Sequence, residues 1–557
     1  MKNKKIRNAI EKRAEASAET IIITAADDSA QSIAETAVGT VSDGTGESIA
    51  ESAIETAEEA AAEDTARMQP ESAMQTAESA MQTAESPKQA LEKTQSAPAA
   101  DPMIEGGLFK KLIFYTIPIV LTGILQLLFN SADLIMVGNF CGSLSVAAVG
   151  ATGALINLLV NLFIGLSVGA GVAVAHALGA RKSKTVFETV HTAIPTAVLG
   201  GAVLTVIGVL FSRNFLEMMG TPEDVIELSS VYMEIYFCGM IGGLVYNFGA
   251  AILRAAGDTK SPLIYLSVAG VLNIILNYIF VKFLNLNVAG VAIATSVSQT
   301  LSAVLVVIAL MKRRDDCRLY LSKMRFYKKP LLKIVKIGLP AGIQGSLFSI
   351  SNVIIQSSIN SFGSVAVSGN AAAGNLEGFV YLTMNSFHQT ALNFVGRNYG
   401  AKKFDRIKRI MLITLCSVAV TGIVCGVSMY LASPTLLKIY ITDSPAAIAE
   451  GVLRLSFVCL PYFLCGLMDV MTGILRGMGS SIVPMVITVA GVCGMRIVWI
   501  YTIFQAPAFH TASCLFVSYP ISWVLTFIAE FIAFLIIFKR AKDKSTAHSK
   551  LLDTPSK

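Results

Sequence analysis

From about Ile113 to Phe538 the chain alternates between long apolar runs and short polar breaks, and its first hundred residues contain no such run. Each run is long enough to cross a hydrocarbon core of about 30 Å as a helix. Twelve are present, spanning 113–136, 146–176, 189–211, 228–252, 262–282, 288–311, 333–358, 366–396, 409–432, 452–475, 482–504 and 513–538. The pattern predicts an all-α membrane protein with twelve transmembrane helices.

Laid on itself at an offset of about 222 residues, the chain repeats. Ile117-Pro118 falls on Leu339-Pro340, Asn130 on Asn352, and Gly179-Ala180-Arg181-Lys182 on Gly400-Ala401-Lys402-Lys403. Further on, Leu253-Arg254-Ala255-Ala256-Gly257 with Pro262 falls on Leu475-Arg476-Gly477-Met478-Gly479 with Pro484. Chance matches would not stay in phase for so long. The twelve helices therefore form two pseudo-symmetric six-helix bundles, and the even number of spans in each makes them a parallel repeat about an axis along the membrane normal. The matched residues end one helix and start the next, so they speak for fold and not for substrate. The expected division is a tail at 1–105, a first lobe at 106–318 with spans 1–6, a second lobe at 319–545 with spans 7–12, and a C-terminal tail at 546–557.

Composition agrees with lipid as the main solvent: 54% of residues are hydrophobic and 15% charged, and the mean hydropathy is +0.62. Charge is unevenly placed, with 9 Lys and Arg against 20 Asp and Glu in residues 1–105 and 35 against 18 in the remainder. The Ala, Glu, Ser and Thr of residues 14–100, including the tandem heptad from Glu71, cannot bury enough apolar area to offset ordering entropy, so this N-terminal tail is expected to be disordered. Its basic start lacks the apolar stretch of a signal peptide. In the membrane part, Lys and Arg gather in alternate loops, at Arg181 to Lys184, Arg254 to Lys260, Lys312 to Lys336, Arg397 to Arg409 and Lys539-Arg540. The positive-inside rule then places both termini in the cytoplasm, in a cell (plasma) membrane protein. No aromatic-interleaved basic groove points to nucleic acid. The nine cysteines show no metal or disulfide spacing and read as small reduced hydrophobes.

An ionisable side chain within the hydrocarbon costs a few kcal/mol, so each is a functional candidate. Asp133 sits in the outer half of span 1, its plainer alternative being a cap on the next turn. Asn273 and Asn277 on span 5 are four residues apart, which puts both amides on one helical face, where they could supply oxygens for Na⁺, tune a proton-carrying Asp133, or simply pack helices together. Thr295 lies early in span 6. The second half has Ile355 where the first has Asp133, and its own polar residues are Glu377, His388, Asp469 and Arg496. These are candidate cavity residues, with plainer alternatives: Glu377 at a wet outer rim, His388 as a packing histidine, and Asp469 with Arg496 as a neutralising pair. Glu530 is expected to be peripheral. Gly165-Leu-Ser-Val-Gly169 matches the hydrolase GxSxG pattern, but inside a membrane helix it lacks the strand-to-helix elbow and partners that chemistry needs. No Walker A sequence is present to couple ATP, so an enzyme is not expected.

The combination resembles the multidrug and toxic compound extrusion (MATE) family, on Pro118 ahead of Asp133, Leu253-Arg-Ala-Ala-Gly-Asp-Thr-Lys260, Leu272-Asn273-Ile274 with Asn277, Gly290-Val-Ala-Ile-Ala-Thr295, Asn375-Leu-Glu-Gly-Phe379 and Phe394-Val-Gly-Arg-Asn-Tyr-Gly-Ala401. The resemblance covers residues 108–540. It implies secondary active efflux of drugs or amphipathic, often cationic, small molecules against H⁺ or Na⁺ by alternating access, with Asp133, Asn273, Asn277 and Thr295 as the site for the coupling ion. The acidic span-7 residue of the NorM branch is absent from Ser346-Leu-Phe-Ser-Ile350, which argues against that branch's second sodium site. No cofactor beyond the coupling ion, no partner beyond substrate and membrane lipid, and a monomer are expected. The alternatives are a flippase for a lipid-linked saccharide, which calls for a cavity lined with several basic residues, and a non-transporting membrane scaffold recruiting partners through the acidic tail.

Overall fold

The structure is a computed structural model that describes residues 101, 103–441 and 444–552. The expected disorder of residues 1–100 lies outside the described residues. The first bundle comprises α1 (Phe109–Cys141), α2 (Ser143–Gly179), α3 (Ser183–Met218), α4 (Glu223–Cys238), α5 (Met240–Ala255), α6 (Lys260–Tyr278) and α7 (Asn287–Lys312). The second comprises α8 (Lys328–Asn360), α9 (Ser364–Gly400), α10 (Phe404–Tyr440), α11 (Pro445–Val458), α12 (Tyr462–Gly477), α13 (Ile482–Thr488), α14 (Met495–Tyr501) and α15 (Ala512–Leu552). No strand occurs among the described residues.

Among the described residues, nine helical stretches are long and apolar enough to cross a membrane, and two bent pairs, α4 with α5 (47°) and α11 with α12 (48°), each make one more span. The twelfth is α9, 37 residues long but too polar to pass on hydropathy because its buried faces carry Asn370, Ser386, His388, Thr390, Asn393 and Asn398. Three helices, α1, α3 and α10, begin and end a turn or more outside their apolar runs, since nothing stops an α-helix at the edge of the hydrocarbon. The bends were not foreseen. At the first, a Cβ on Gly239 would overlap Ser296, and the carbonyls freed by the break accept hydrogen bonds from Thr205 Oγ1 (to Phe237 O, 2.7 Å) and Ser296 Oγ (to Ile235 O, 3.0 Å).

The repeat reaches the level of single backbone angles. Gly142 (φ 85°) and Gly363 (φ 86°) make the tight turn between the first two helices of each bundle, in a left-handed conformation that costs glycine nothing. Arg181 (φ 53°) and Lys402 (φ 57°) occupy the next turn in each copy. The fifth spans differ in detail: a π-helical segment ends the first at Ile279–Phe283, whereas one interrupts the second at Val489–Gly494, about a dozen residues out of register.

The bundles meet along α2 and α8. Cβ atoms on Gly165 and Gly169 would overlap the backbone of α8, and those on Gly338 and Gly342 the backbone of α2. Two GxxxG ridges thus face each other, letting the helix backbones touch. The stretch that imitates a hydrolase motif is one of them. Beyond it, a Cβ on Gly179 would overlap the carbonyl of Arg397 and one on Gly400 that of His176, while His176 Nε2 donates to Gly477 O at 2.7 Å. The contact seals one end of the molecule. Residues 103–105, assigned from sequence to the tail, belong to this sealed end, with Met103 and Ile104 each only 4% exposed.

Candidate ion-coupling site and central cavity

Asp133 lies on α1, 9% exposed, and faces α6. The two helices come close because a Cβ on Gly270 would overlap the ring of Phe129, one turn before Asp133. One turn beyond Gly270 stands Asn273, and one turn further Asn277. Asn277 Nδ2 donates to Asp133 Oδ1 at 2.5 Å and to Asn273 Oδ1 at 3.3 Å. Thr295 Oγ1, on α7, donates to Asp133 Oδ2 at 3.4 Å and accepts from Asn273 Nδ2 at 3.3 Å. The structure therefore brings Asp133, Asn273, Asn277 and Thr295 into one closed ring of hydrogen bonds. Its donors to the carboxylate are an amide and a hydroxyl, both neutral. Asn277 Oδ1 is buried without a partner. A single carboxylate held this way is charge-uncompensated, and a bound proton or monovalent cation would relieve that cost.

The ring opens onto a cavity of about 500 Å³ between the bundles, lined by α1, α2, α4 to α7 and α9. Among the described residues, Asp133 is the only carboxylate in the lining and Arg254 the only basic residue. Apolar and aromatic side chains such as Phe129, Tyr236 and Tyr246 alternate with the amides of Gln126, Asn157, Asn247, Gln299, Asn385 and Gln389. Sequence reasoning missed these amides. Neutral polar residues within apolar runs were the signal, weaker than a charge because one amide costs less to bury. Towards the sealed end the cavity is closed by Tyr115 Oη donating to Arg254 O (2.6 Å), a Thr116–Thr390 hydroxyl pair (2.8 Å) and Arg397 Nη1 donating to Ala255 O (2.8 Å).

The second-bundle candidates are placed differently from expectation. None of Glu377, His388, Asp469 and Arg496 lines this cavity. Glu377 is not at a wet rim: its carboxylate pairs with Arg454 Nη2 at 2.6 Å and accepts from Tyr462 Oη at 3.2 Å, while Arg454 also binds Asn370 Oδ1. Asp469 and Arg496 do not pair. Arg496 Nε donates to Ser522 Oγ at 3.0 Å and its guanidinium stacks 3.9 Å from the Tyr519 ring, so hydroxyl and π-face replace the expected carboxylate. His388 Nδ1 donates to the backbone carbonyl of Asp469 at 2.7 Å, a packing role. Glu530, expected at the periphery, is fully buried and accepts from Thr472 Oγ1 (2.7 Å) and Thr488 Oγ1 (2.8 Å). It lies on the side of α15 that packs against α12, a side its position near the end of a span did not reveal.

Comparison with known proteins gives a consistent answer. The MatE family model matches residues 118–279 and 340–502, one match per bundle. The chain is 26% identical over 414 residues to the probable multidrug resistance protein YoeA of Bacillus subtilis, covering 73% of this chain and 89% of that one. It is 22% identical over 414 residues to the multidrug export protein MepA of Staphylococcus saprophyticus, covering 71% and 90%. Among solved structures, a MOP-superfamily transporter from Pyrococcus furiosus superposes with a TM-score of 0.74 at 20% identity, covering 79% and 98%. The Vibrio cholerae MATE transporter VcmN in its bent form gives 0.70 at 21%, covering 78% and 97%. At such identities the structural likeness speaks to the fold.

Proposed function

Since the chain belongs to the MATE family of multidrug efflux transporters, we propose that it expels amphipathic, often cationic small molecules in exchange for a proton or Na⁺ bound at Asp133. The two lobes, taken as 106–318 and 319–545, would rock about the cavity, with both termini and the sealed end in the cytoplasm, so that the structure stands for the outward-facing state. One observation carries this reading: the only carboxylate of the interbundle cavity is also uncompensated, and three further side chains from α6 and α7 surround it. An ion that neutralises Asp133 changes the bonding between α1, α6 and α7, which gives it the differential interaction with two states that coupling requires.

The orientation of the amides favours the proton. Asn277 presents its N–H to the carboxylate and not its oxygen. A proton on Asp133 needs only local change, whereas Na⁺ would require the Asn273 and Asn277 oxygens to turn inward. The scarcity of basic residues in the lining weighs against the lipid-linked saccharide flippase, since Arg254 alone could meet a diphosphate there. The deciding experiment is efflux of a fluorescent organic cation from proteoliposomes under separately imposed pH and Na⁺ gradients. Efflux driven by the pH gradient alone is expected. Efflux driven only by Na⁺ would reassign the coupling ion, and none under either gradient would overturn the reading.

A further inference from the structure

The segment ahead of α1 is held in a way that linking to α1 does not demand. Asp101 and residues 103–107 are drawn together, with Ile104 and Glu105 N–H groups donating to Asp101 O (3.0 and 2.9 Å) and Met103 N–H to Asp101 Oδ1 (2.9 Å). The other carboxylate oxygen, Oδ2, accepts from Arg397 Nε of the second bundle at 2.7 Å. One Asp101 side chain thus shapes the segment and fastens it.

Carbonyls follow in series. Met103 O accepts from Asn398 Nδ2 (3.0 Å), Ile104 O from Lys403 Nζ (3.4 Å), Glu105 O from Arg406 Nη2 (3.2 Å) and Gly106 O from Arg406 Nη1 (2.9 Å). Four consecutive carbonyls of a segment continuous with the first bundle are capped by side chains of the second. Met103 also joins the apolar core that the start of α1, through Leu112 and Tyr115, shares with the second bundle. Two contacts tie the assembly back: Arg397 Nη1 donates to Ala255 O at the end of α5 (2.8 Å), and Glu105 pairs with Arg181 at 3.7 Å.

We propose that Asp101 and residues 103–107 act as a strap that latches the two bundles at their sealed end, so that opening that end requires the strap to leave its cradle of Arg397, Asn398, Lys403 and Arg406. The strap moves with α1 and the cradle with α9 and α10, so parting of the bundles cannot preserve both sets of bonds. Most of these bonds have a charged donor, and the Arg397–Asp101 pair is shielded, with 12% and 14% side-chain exposure. The latch therefore biases the equilibrium towards the state with this end closed. The linker ahead of α8 docks likewise on the first bundle, through Tyr327 N–H to Thr192 Oγ1 (3.1 Å) and Arg325 N–H to His191 O (3.3 Å). That linker is a necessary connection, whereas the strap is free to release.

The inference rests on the rocking motion proposed above, and one experiment separates the two. Spin labels at the exposed positions Lys184 and Asp405 in the full chain, with the nine native cysteines replaced, report the distance between bundles at the sealed end in nanodiscs. The native strap is expected to give mainly the short distance with a minor long one. Asp101→Ala combined with Met103→Ser should raise the ratio of long to short at least tenfold, Asp101→Glu should leave it near native, and removing residues 1–100 should leave it unchanged. Two distances in the native chain with no shift in the double variant would overturn the strap while leaving the motion intact. A full shift on removing residues 1–100 would also overturn it, by moving the latch to that segment. A single distance in every variant and at every pH would sink the rocking motion and the strap with it.

Discussion

The two bundles share a backbone and differ in where they place buried charge. In the first, Asp133 is held by neutral donors and looks onto the cavity. In the second, Arg454 neutralises Glu377, Arg476 Nη2 donates to Gln344 Oε1 at 2.8 Å, Glu530 is held by two threonines, and Arg496 lies against Tyr519, all away from the cavity. Duplication preserved the turns at Gly142 and Gly363 and the bent fourth spans, while side chains diverged at matched positions such as Asp133 and Ile355. A carboxylate enclosed in its bundle gives an external ion no access, whether it is paired like Glu377 or held by neutral hydroxyls like Glu530. An uncompensated carboxylate facing a cavity gives it a site, which is why the proposed coupling is placed in the first bundle.

The sharpest way to break this division is to neutralise one carboxylate in each bundle. Asp133→Asn is expected to reduce gradient-driven efflux from vesicles to the level seen without a gradient. The variant should insert normally and melt no lower than the native protein, since it removes a buried charge whose only partners are neutral. Loss of efflux in Glu377→Gln at unchanged thermal stability would place coupling in the second bundle and undo the comparison.

How much of this was legible in the sequence differs between fold and site. Span count and repeat were legible because apolar length and turn chemistry are local: the residues that stop a helix at Gly142 or Arg181 also announce it. The neighbourhood of Asp133 was legible because Asn273 and Asn277 share a helical face whatever packs against it. The second bundle was read less well. Which residue meets Arg496, or whether Glu530 faces lipid or protein, depends on helix rotation, and in lipid the hydrophobic pattern does not fix rotation as it does in water. Gly270, Gly338 and Gly342 hold that information, since they mark where helices touch, but a glycine does not name its partner.

The next prediction concerns stability alone. Glu377→Gln leaves Arg454 buried, with Asn370 but without its carboxylate. Breaking such a pair costs about 3–5 kcal/mol, so a clear fall in melting temperature is expected in detergent or nanodiscs. Replacing both partners, Glu377→Leu with Arg454→Met, should recover most of that loss, because two apolar groups leave no orphan charge. Equal destabilisation in the single and double variants would mean that packing, not charge balance, is what the pair supplies.

The smallest effect is expected at Glu530. Its Oε1 accepts both threonine hydroxyls and its Oε2 is buried without a partner. Glu530→Gln keeps one carbonyl oxygen for Thr472 and Thr488 and places an NH₂ where the unpartnered oxygen was. It therefore preserves both threonine bonds, so stability should change by no more than about 1 kcal/mol. Glu530→Leu, by contrast, strands both hydroxyls and should cost about 1–3 kcal/mol. Efflux per folded molecule should be nearly native in Glu530→Gln, measured in the same vesicles as Asp133→Asn. If Glu530→Gln instead abolished gradient-driven efflux while the protein melted normally, the second bundle would carry a titrating group of its own. The contrast would then lie between a carboxylate open to the cavity and one enclosed in its bundle, both coupled to transport.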